Sequence, residues 1–330
     1  MTLGAGLAIL IGLIVALLAG SGAKHTAPPP RAATHHHPAR TTTSVLRSLT
    51  AAPIGNLPAA IEDSAVATLP DGRIALLGGI DSAQASTAGV GIVSGGSTQL
   101  HGALPNAQHD AQAATLGPQV YVFGGGQFSS YDHILRYDPA TAATSQAGTL
   151  PAPASDVAVT SIGDTAYIVG GYTGTSFLDT IVAFTPGTAP RVVAHLPAGL
   201  RYAAVAAAGS RVIIAGGTLT GGLSDQILSL DPATGNITHL GHLPVPITHA
   251  SAVFLDGRVV VVGGRRQLSG DQTSAILAID PSNGSATTVG QLPQPLSDAA
   301  VALSGDRIIV AGGDNGTGPQ TQILALNPRT

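Results

Sequence analysis

The sequence predicts an all-β protein, a six-bladed β-propeller preceded by an N-terminal transmembrane or signal helix. A double glycine closes a short apolar run six times, with spacings of 46, 46, 46, 47 and 49 residues. A Leu-Pro pair recurs six times in the same phase. A period of about 40 to 50 residues built from short strands is typical of propeller blades. The repeat-defining glycines are Gly78, Gly79, Gly124, Gly125, Gly170, Gly171, Gly216, Gly217, Gly263, Gly264, Gly312 and Gly313.

Composition excludes several classes of protein. The 330 residues carry a net charge of −4 and include 43 Gly and 23 Pro, a balance that favours short strands and tight turns. Residues 44–330 hold 11 Arg, no Lys and 18 Asp or Glu, so a nucleic-acid partner is not expected, since it requires basic grooves. The lack of cysteine excludes disulfides, thiolate nucleophiles and Cys-ligated zinc.

Residues 1–23 are the expected membrane segment. Residues 3–19 are uninterrupted apolar or small residues, and as a helix they would extend about 26 Å, close to the ~30 Å core of a bilayer. We expect a transmembrane helix or an uncleaved signal anchor, with a signal peptide cleaved near Ser21–Ala23 as the alternative. The basic residues follow the helix, which by the positive-inside rule would keep the rest of the chain cytoplasmic.

Residues 24–43 are expected to form a disordered linker, because they are rich in Pro, Ala, Thr and His. A stalk of this composition favours the extracytoplasmic side over the cytoplasmic one. His35–His37 could bind a metal ion, but no acidic ligand lies near them in sequence, and a solvated linker is the preferred interpretation.

The fifth repeat shows the predicted plan of one blade. Strands are expected at 249–255, 258–262, 275–279 and 285–290, with Asp256-Gly257 as the first hairpin turn. The last repeat ends after its third strand, while residues 44–53 precede the first Leu-Pro without a repeat of their own. We therefore expect strand 44–53 to complete the last blade, which removes both exposed strand edges. The propeller domain would span residues 44–330.

The repeats resemble those of the Kelch-repeat β-propeller family over residues 44–330. The resemblance rests on the double glycines and on the strand endings Tyr137-Asp138-Pro139, Leu230-Asp231-Pro232 and Ile279-Asp280-Pro281. The chain departs from the family in having no Trp and 3% aromatic residues. Among enzymes of this family, galactose oxidase-like copper proteins use a Tyr–Cys crosslink that this chain cannot form. Bacterial sialic-acid epimerases need an acid/base pair, for which Glu62 and His109 are candidates.

One position opens the innermost strand of each repeat, five residues after the Leu-Pro proline. It is occupied by Asp63, Asp110, Asp156, Tyr202, His249 and Asp298, whose side chains are expected to ring one mouth of the central channel. The preferred interpretation of the four Asp residues is structural, as caps of backbone N–H groups at their turns. The alternative is an acidic collar for a cation or a polyhydroxy ligand.

Functional residues are expected where the repeats deviate from one another. Arg201, Tyr202, His249, Arg265 and Arg266 break the pattern in the fourth and fifth repeats, and they are the candidate ligand-binding residues. An anionic sugar or an acidic peptide would suit the arginines. Tyr131, His133, Tyr172 and Phe177 are expected in loops on the same face.

Together these features predict a non-enzymatic Kelch propeller, membrane-tethered or secreted, that binds a protein or glycan partner through one face. The alternative is an extracytoplasmic sugar-processing enzyme, epimerase-like, that uses the same face. We expect no cofactor, no metal, no catalytic residues and a monomeric propeller. The membrane is the expected partner of the N-terminal helix, and the expected location is the cell membrane, with the propeller outside, or the extracellular space.

Overall fold

The computed structural model describes residues 46–329. These residues contain strands and turns but no helix, so none of their segments is a helix able to cross a membrane. The predicted helix within residues 1–23, the linker 24–43 and His35–His37 lie outside the described residues.

The strands are short and rich in Val, Ile, Leu and Ala. In the first half of the described chain they are β1 (Ser48–Glu62), β2 (Ala65–Thr68), β3 (Ile74–Leu77), β4 (Ile80–Asp81), β5 (Thr87–Ser94), β6 (Ser97–Leu116), β7 (Gln119–Gly126), β8 (His133–Tyr137), β9 (Thr144–Thr149), β10 (Ala158–Ile162), β11 (Thr165–Val169), β12 (Thr180–Phe184) and β13 (Arg191–His195). In the second half they are β14 (Ala204–Ala208), β15 (Arg211–Ala215), β16 (Thr218–Leu219), β17 (Gly222–Leu223), β18 (Gln226–Asp231), β19 (Asn236–His242), β20 (Ser251–Leu255), β21 (Arg258–Val262), β22 (Ala275–Ile279), β23 (Ala286–Gln291), β24 (Ala300–Ser304), β25 (Arg307–Ala311) and β26 (Gln320–Arg329).

The strands form antiparallel sheets arranged as a β-propeller. Three sheets have four strands in the orders β10-β11-β12-β13, β14-β15-β18-β19 and β20-β21-β22-β23. A fourth sheet has five strands in the order β24-β25-β26-β1-β4. In it the first and last described strands, β1 and β26, form pairs that include Ser48↔Arg329 and Gly55↔Ile323. The first and last described strands therefore belong to one sheet. The strand expected at 44–53 is observed at Ser48–Glu62, so it both begins and ends later than predicted.

β16 and β17 form a separate two-stranded sheet, and the remaining sheet is larger than a single repeat. It has seven strands in the order β2-β3-β5-β6-β7-β8-β9, because β6 stays extended for 20 residues. The first half of β6 pairs with β5 and its second half with β7. The sequence predicts a break between an outer strand and the next inner strand, whereas the pair Thr87↔Gln108 continues the ladder across it.

The innermost strands enclose a central channel. β2, β6, β10, β14, β20 and β24 contact one another in that order, and β24 also contacts β2. The hairpin turns at the far ends of these strands use left-handed backbone, as at Asp256 and Gly257 with φ of 47° and 76°. Positive φ at both central residues matches the twist of the flanking strands.

The double glycines join neighbouring repeats. All twelve have φ between 60° and 115°. In each pair, the N–H of the second glycine donates to a backbone carbonyl in the next repeat, two residues before that repeat's ring position. Gly171 donates to Leu200 at 2.8 Å, and Gly313 donates to Ile61 at 2.9 Å, which links the last repeat to the first. A side chain on the first glycine would meet the same carbonyl: a Cβ on Gly78 would lie 2.5 Å from the oxygen of Gln108.

The core lies between adjacent sheets. Phe123 and Phe184, from neighbouring sheets, pack edge to face with ring centroids 5.6 Å apart. The leucine of every Leu-Pro pair is buried as well. Middle strands such as β15 and β21 are buried along most of their length, whereas inner strands such as β10 and β20 are half-buried where they line the channel.

Candidate functional site

Six residues at one end of the channel share an unusual backbone conformation. Asp63, Asp110, Asp156, Tyr202, His249 and Asp298, here called the mouth ring, have φ between 51° and 60°. Asp and His occur in this region more often than other side chains, and a bulky residue there is an outlier. The position predicted from the Leu-Pro phase is therefore a specific turn that directs each side chain toward the channel mouth.

Backbone hydrogen bonds connect the mouth ring. The N–H of Tyr202 donates to the carbonyl of Asp156 at 3.0 Å, and that of Asp63 donates to Asp298 at 3.0 Å. Three further bonds of the same kind join Asp110 to Asp156, Tyr202 to His249 and His249 to Asp298. This chain of peptide groups fixes the spacing of the six side chains.

The Asp side chains contact arginine, hydroxyl and carboxyl groups. Arg201 Nη1 donates to Asp156 Oδ2 at 2.8 Å, and Tyr202 Oη donates to Asp110 Oδ2 at 3.2 Å. Asp298 accepts from Arg265 and from Ser297. Among residues 46–329 we find no backbone N–H that donates to these four carboxylates, so the Asx capping that we preferred for them is not seen.

Two aromatic contacts order the fourth and fifth repeats. The rings of Tyr202 and His249 are stacked, with centroids 3.6 Å apart. The Arg201 guanidinium lies 4.9 to 5.1 Å from the ring centroids of Phe177, Tyr172 and Tyr202. Planar guanidinium stacks favourably on aromatic faces, and Arg201 is therefore held by both charge and stacking.

A second set of residues flanks the mouth ring. In each repeat the residue before the ring position forms a bridge with the residue after the double glycine. The pairs are Glu62↔Ile80, His109↔Gly126, Ser155↔Tyr172, Arg201↔Thr218, Thr248↔Arg265 and Ser297↔Asp314. This repeating bridge places the start of the inner strand and the exit of the next strand on the same face.

Three acidic residues converge where the first and last repeats meet. Glu62, Asp298 and Asp314, here called the acidic cluster, each place one carboxylate oxygen within 4.8 Å of the others. Sequence reasoning weighed Glu62 only as a partner of His109 and missed Asp314. The available signal was positional, because Asp314 follows its double glycine as Arg265 follows the preceding one.

Burial and mutual repulsion change the proton affinity of these groups. Burial, with the charges of Asp298 and Asp314, raises the pKa of Glu62 from 4.5 to about 7. Burial, with neighbouring carboxylates, raises the pKa of Asp63 and of Asp110 well above 3.8. Burial lowers the pKa of His249 to about 2, so its imidazole is neutral at pH 7.

Not every predicted residue joins the site. Arg266 is exposed and pairs with Asp271 at 2.7 Å, outside the contacts described above. Tyr131 and His133 contact each other, with ring centroids 5.0 Å apart. Arg201, Tyr202, His249 and Arg265 are brought together with the mouth ring or its immediate neighbours.

Two adjacent depressions lie at this face. A cavity of about 120 Å³ at the channel mouth is lined by Asp63, Tyr202, His249 and Asp298. A groove of about 340 Å³ beside it, here called the side groove, is lined by residues including Asp110, Phe128, Tyr172 and Arg201. The Phe128 side chain is 96% exposed. Because Tyr202 borders both depressions, a ligand could extend from one to the other.

Some buried polar atoms at this face have no hydrogen-bond partner within residues 46–329. They include Glu62 Oε2, Arg201 Nε and His249 Nδ1. Both polar side-chain atoms of Gln108 are in the same situation, although that residue is fully buried. Buried polar groups are normally paired, so these atoms mark places where water or a ligand would be bound.

The acidic cluster is the group within the described residues whose oxygens are spaced for a metal ion. Its free coordination capacity is small, however. Asp314 Oδ1 accepts from the N–H groups of Gly316 and Gly318, and Asp314 Oδ2 accepts from Gln272. The guanidinium of Arg265 also pairs with Asp298 and lies 3.7 Å from Asp314.

Comparison with known proteins supports the fold. The solved structure titled "Structure of YjhT" is similar to this chain with a TM-score of 0.71 and 16% sequence identity, covering 83% of this chain and 96% of that one. At this identity the likeness shows the fold alone, a β-propeller. No protein-family profile and no curated protein matches the sequence.

Proposed function

We propose that this chain is a six-bladed, Kelch-type β-propeller that binds a glycan at the channel mouth and carries out no chemistry there. The observation that carries the proposal is the mouth ring itself. It directs carboxyl, phenol and imidazole groups into one cavity, and buried acceptors and donors around that cavity lack protein partners. Hydroxyl groups of a sugar both donate and accept, and they can satisfy such a mixed set.

The blade number is inferred from features that repeat around the ring. Six hydrophobic clusters repeat around the ring. Five lie between neighbouring sheets, one of which joins β25 and β26 to β3 and β5, and the other lies between the two halves of the seven-stranded sheet. Six double-glycine junctions connect the repeats in a closed cycle. Dividing the seven-stranded sheet into two blades that share β6 accounts for both counts, and the double glycines are the feature that matches Kelch repeats.

The charges at the mouth favour a hydroxylated ligand over the anionic one that the arginines suggested. Arg201 and Arg265 are already paired with Asp156 and with Asp298. If these arginines bound an anionic ligand in place of their carboxylate partners, the buried carboxylates would be left unpaired, which is costly. The aromatic rings of the side groove, with Phe128 exposed at its edge, offer apolar faces of the kind that stack on sugar rings.

A second candidate function is a sugar-processing enzyme, which one observation favours. Glu62 is buried, its pKa is raised to about 7, and the carboxylates of Asp298 and Asp314 lie beside it. General acid/base residues work best when their pKa lies near the operating pH. Binding without chemistry is preferred because Asp298 is held by Arg265 and Ser297, which leaves Glu62 without an obvious catalytic partner.

The cellular setting remains the one that the sequence predicts. We propose a membrane-tethered or secreted propeller outside the cytoplasm, monomeric, with residues 1–23 as anchor or signal, residues 24–43 as linker and residues 44–330 as the propeller. Protease treatment of intact cells, followed by mass spectrometry of released fragments, should release propeller peptides. Protection until lysis would place the propeller inside.

The function is tested by screening the purified full-length protein on an array of neutral, amino and acidic glycans. Binding of the best ligand is then measured by calorimetry for the wild type and for Tyr202→Phe and Tyr131→Phe. The first variant removes the hydroxyl that contacts Asp110, and we expect it to weaken binding about three- to tenfold, the usual worth of one hydrogen bond. Tyr131→Phe, outside the mouth, should bind normally.

Two outcomes would contradict the proposal. Equal affinity of both variants would place the binding site elsewhere, and no binding across the array would remove the glycan function. Proton NMR of the same sugars tests the second candidate: steady conversion of a sugar by the wild type, abolished by Glu62→Gln, would establish the enzyme instead.

A further inference from the structure

We propose that the acidic cluster binds the protonated amine of an amino sugar, so that the ligand of this propeller is a glycan carrying a free amino group. The inference rests on the proposed glycan function and names its chemical class. It depends on one buried carboxylate oxygen that has no partner and on the arrangement of the groups around it.

Glu62 has a hydrogen-bond acceptor that is unsatisfied within the described part of the chain. Glu62 is 7% exposed, and its Oε2 has no hydrogen-bond partner within residues 46–329. Its carboxylate faces those of Asp298 and Asp314, with oxygens of all three within 4.8 Å. A buried carboxylate oxygen without a donor is costly, and a donor on a ligand would satisfy it.

The carboxylates of the acidic cluster outnumber the cations beside them. Arg265 is the guanidinium that contacts this cluster, and it pairs with Asp298 and Asp314. When Glu62 is ionised, three carboxylates and one guanidinium leave an excess of negative charge in a poorly solvated place. A cationic donor would remove this imbalance, whereas a neutral hydroxyl would satisfy only the hydrogen bond.

The occupied oxygens of the acidic cluster favour an ammonium group over a metal ion. Calcium takes about six to eight oxygen ligands, but both oxygens of Asp314 already accept hydrogen bonds, and one oxygen of Asp298 accepts two. The guanidinium of Arg265 would also repel a divalent cation more strongly than a singly charged ammonium. A primary ammonium has three donors and one charge, so it needs fewer acceptors than calcium: the Oε2 of Glu62 and lone pairs left on the neighbouring carboxylates.

Asp298 links the acidic cluster to the proposed glycan site. Asp298 belongs both to the acidic cluster and to the wall of the mouth cavity. We therefore place the sugar in the mouth with its amino group directed past Asp298 toward Glu62. The neighbouring side groove would then hold the next sugar unit against its aromatic rings.

The experiment measures binding of glucosamine, galactosamine and their oligomers to the full-length protein by calorimetry at about pH 7. Sugar amines are still largely protonated there, and Glu62, with a pKa of about 7, is ionised in about half of the molecules. Each ligand is paired with its N-acetylated counterpart, which keeps the hydroxyl groups but loses the charge. We expect at least about tenfold preference for the free amine, the worth of one charge-assisted contact. Glu62→Gln should abolish the preference.

Asp306→Asn is the matched control, because it removes one negative charge from a side chain that is 88% exposed in the β24–β25 turn. It should keep the preference. Equal binding of amine and N-acetyl ligands by the wild type would overturn the inference while leaving the glycan function intact. If no glycan of the array or of this series binds, the function itself fails. A calcium-dependent rise in thermal stability, lost in Glu62→Gln, would assign the cluster to a metal and overturn the amine.

Discussion

The double-glycine junctions provide the sharpest test of how this fold is held together, through the substitution Gly78→Ala. Gly78 has φ of 68°, and a Cβ there would lie 2.5 Å from the backbone oxygen of Gln108 and 3.3 Å from that of Thr87. The matched control is Gly209→Ala. It has nearly the same φ, 63°, but no atom lies within 4 Å of the added Cβ.

The structure separates two costs in this pair. Left-handed backbone costs an Ala about 1 to 2 kcal/mol, and both variants bear it. In Gly78→Ala the carbonyl of Gln108 must also move away, which disrupts the 2.8 Å bond from Gly79 N–H at about 0.5 to 1.5 kcal/mol. Shifting a strand in a close-packed core adds about 1 to 3 kcal/mol. We expect about 3 to 5 kcal/mol of destabilisation against about 1 to 2 for Gly209→Ala.

The measurement is urea unfolding of the full-length protein, followed by far-ultraviolet circular dichroism because the chain has no Trp. We expect Gly209→Ala to be soluble and folded, and Gly78→Ala to be strongly destabilised or unable to fold. Equal midpoints for the two variants would refute this expectation, since backbone conformation alone would then explain the double glycine.

Three other outcomes follow from the same contacts. Gln108→Leu should stabilise the protein by about 1 to 3 kcal/mol in urea unfolding, because it removes a buried amide without partners; destabilisation would show that water or a ligand satisfies it. Because the pKa of Glu62 is raised from 4.5 to about 7, its folded form holds a proton that the unfolded chain releases, so stability should fall as pH rises from about 4.5 to 7, by up to about 3 kcal/mol. Glu62→Gln should flatten part of that slope, and an unchanged slope would contradict the assignment. Arg201→Lys should cost about 1 to 2 kcal/mol, because lysine cannot stack as a guanidinium does, and no loss would show that charge alone matters.

The propeller fold is predictable from the sequence because its repeat is a physical requirement. Each double glycine must allow a left-handed backbone and the close approach of a carbonyl, as at Gly78 and Gly79, and no other residue permits both. The Leu-Pro leucines are needed for the core between sheets. Such constraints recur at every junction, and a fixed spacing in the sequence is the result.

The acidic cluster was not predictable in the same way. Glu62 and Asp314 lie in the first and last repeats, and only closure of the ring brings them within 4.8 Å. Sequence comparison of repeats finds positions that are equivalent, whereas this cluster joins positions that are not. The same limit explains Gln108, whose counterparts Ile61, Ala154, Leu200, Ile247 and Leu296 are apolar, so that its deviation was visible but its burial was not.

The mouth ring shows how architecture and function can share one position. The left-handed turn is common to all six repeats, so the backbone conformation is architectural, and Asp and His are among the residues that tolerate it best. That preference accounts for five of the six residues without any ligand. Tyr202 is the exception, because a bulky aromatic residue gains nothing from the turn and is strained by it. Its hydroxyl reaches Asp110, its ring stacks on His249, and Arg201 lies over it. A residue that the fold disfavours and that its neighbours hold so closely is best explained by what it contacts in the mouth, which makes Tyr202 the first position to test for binding.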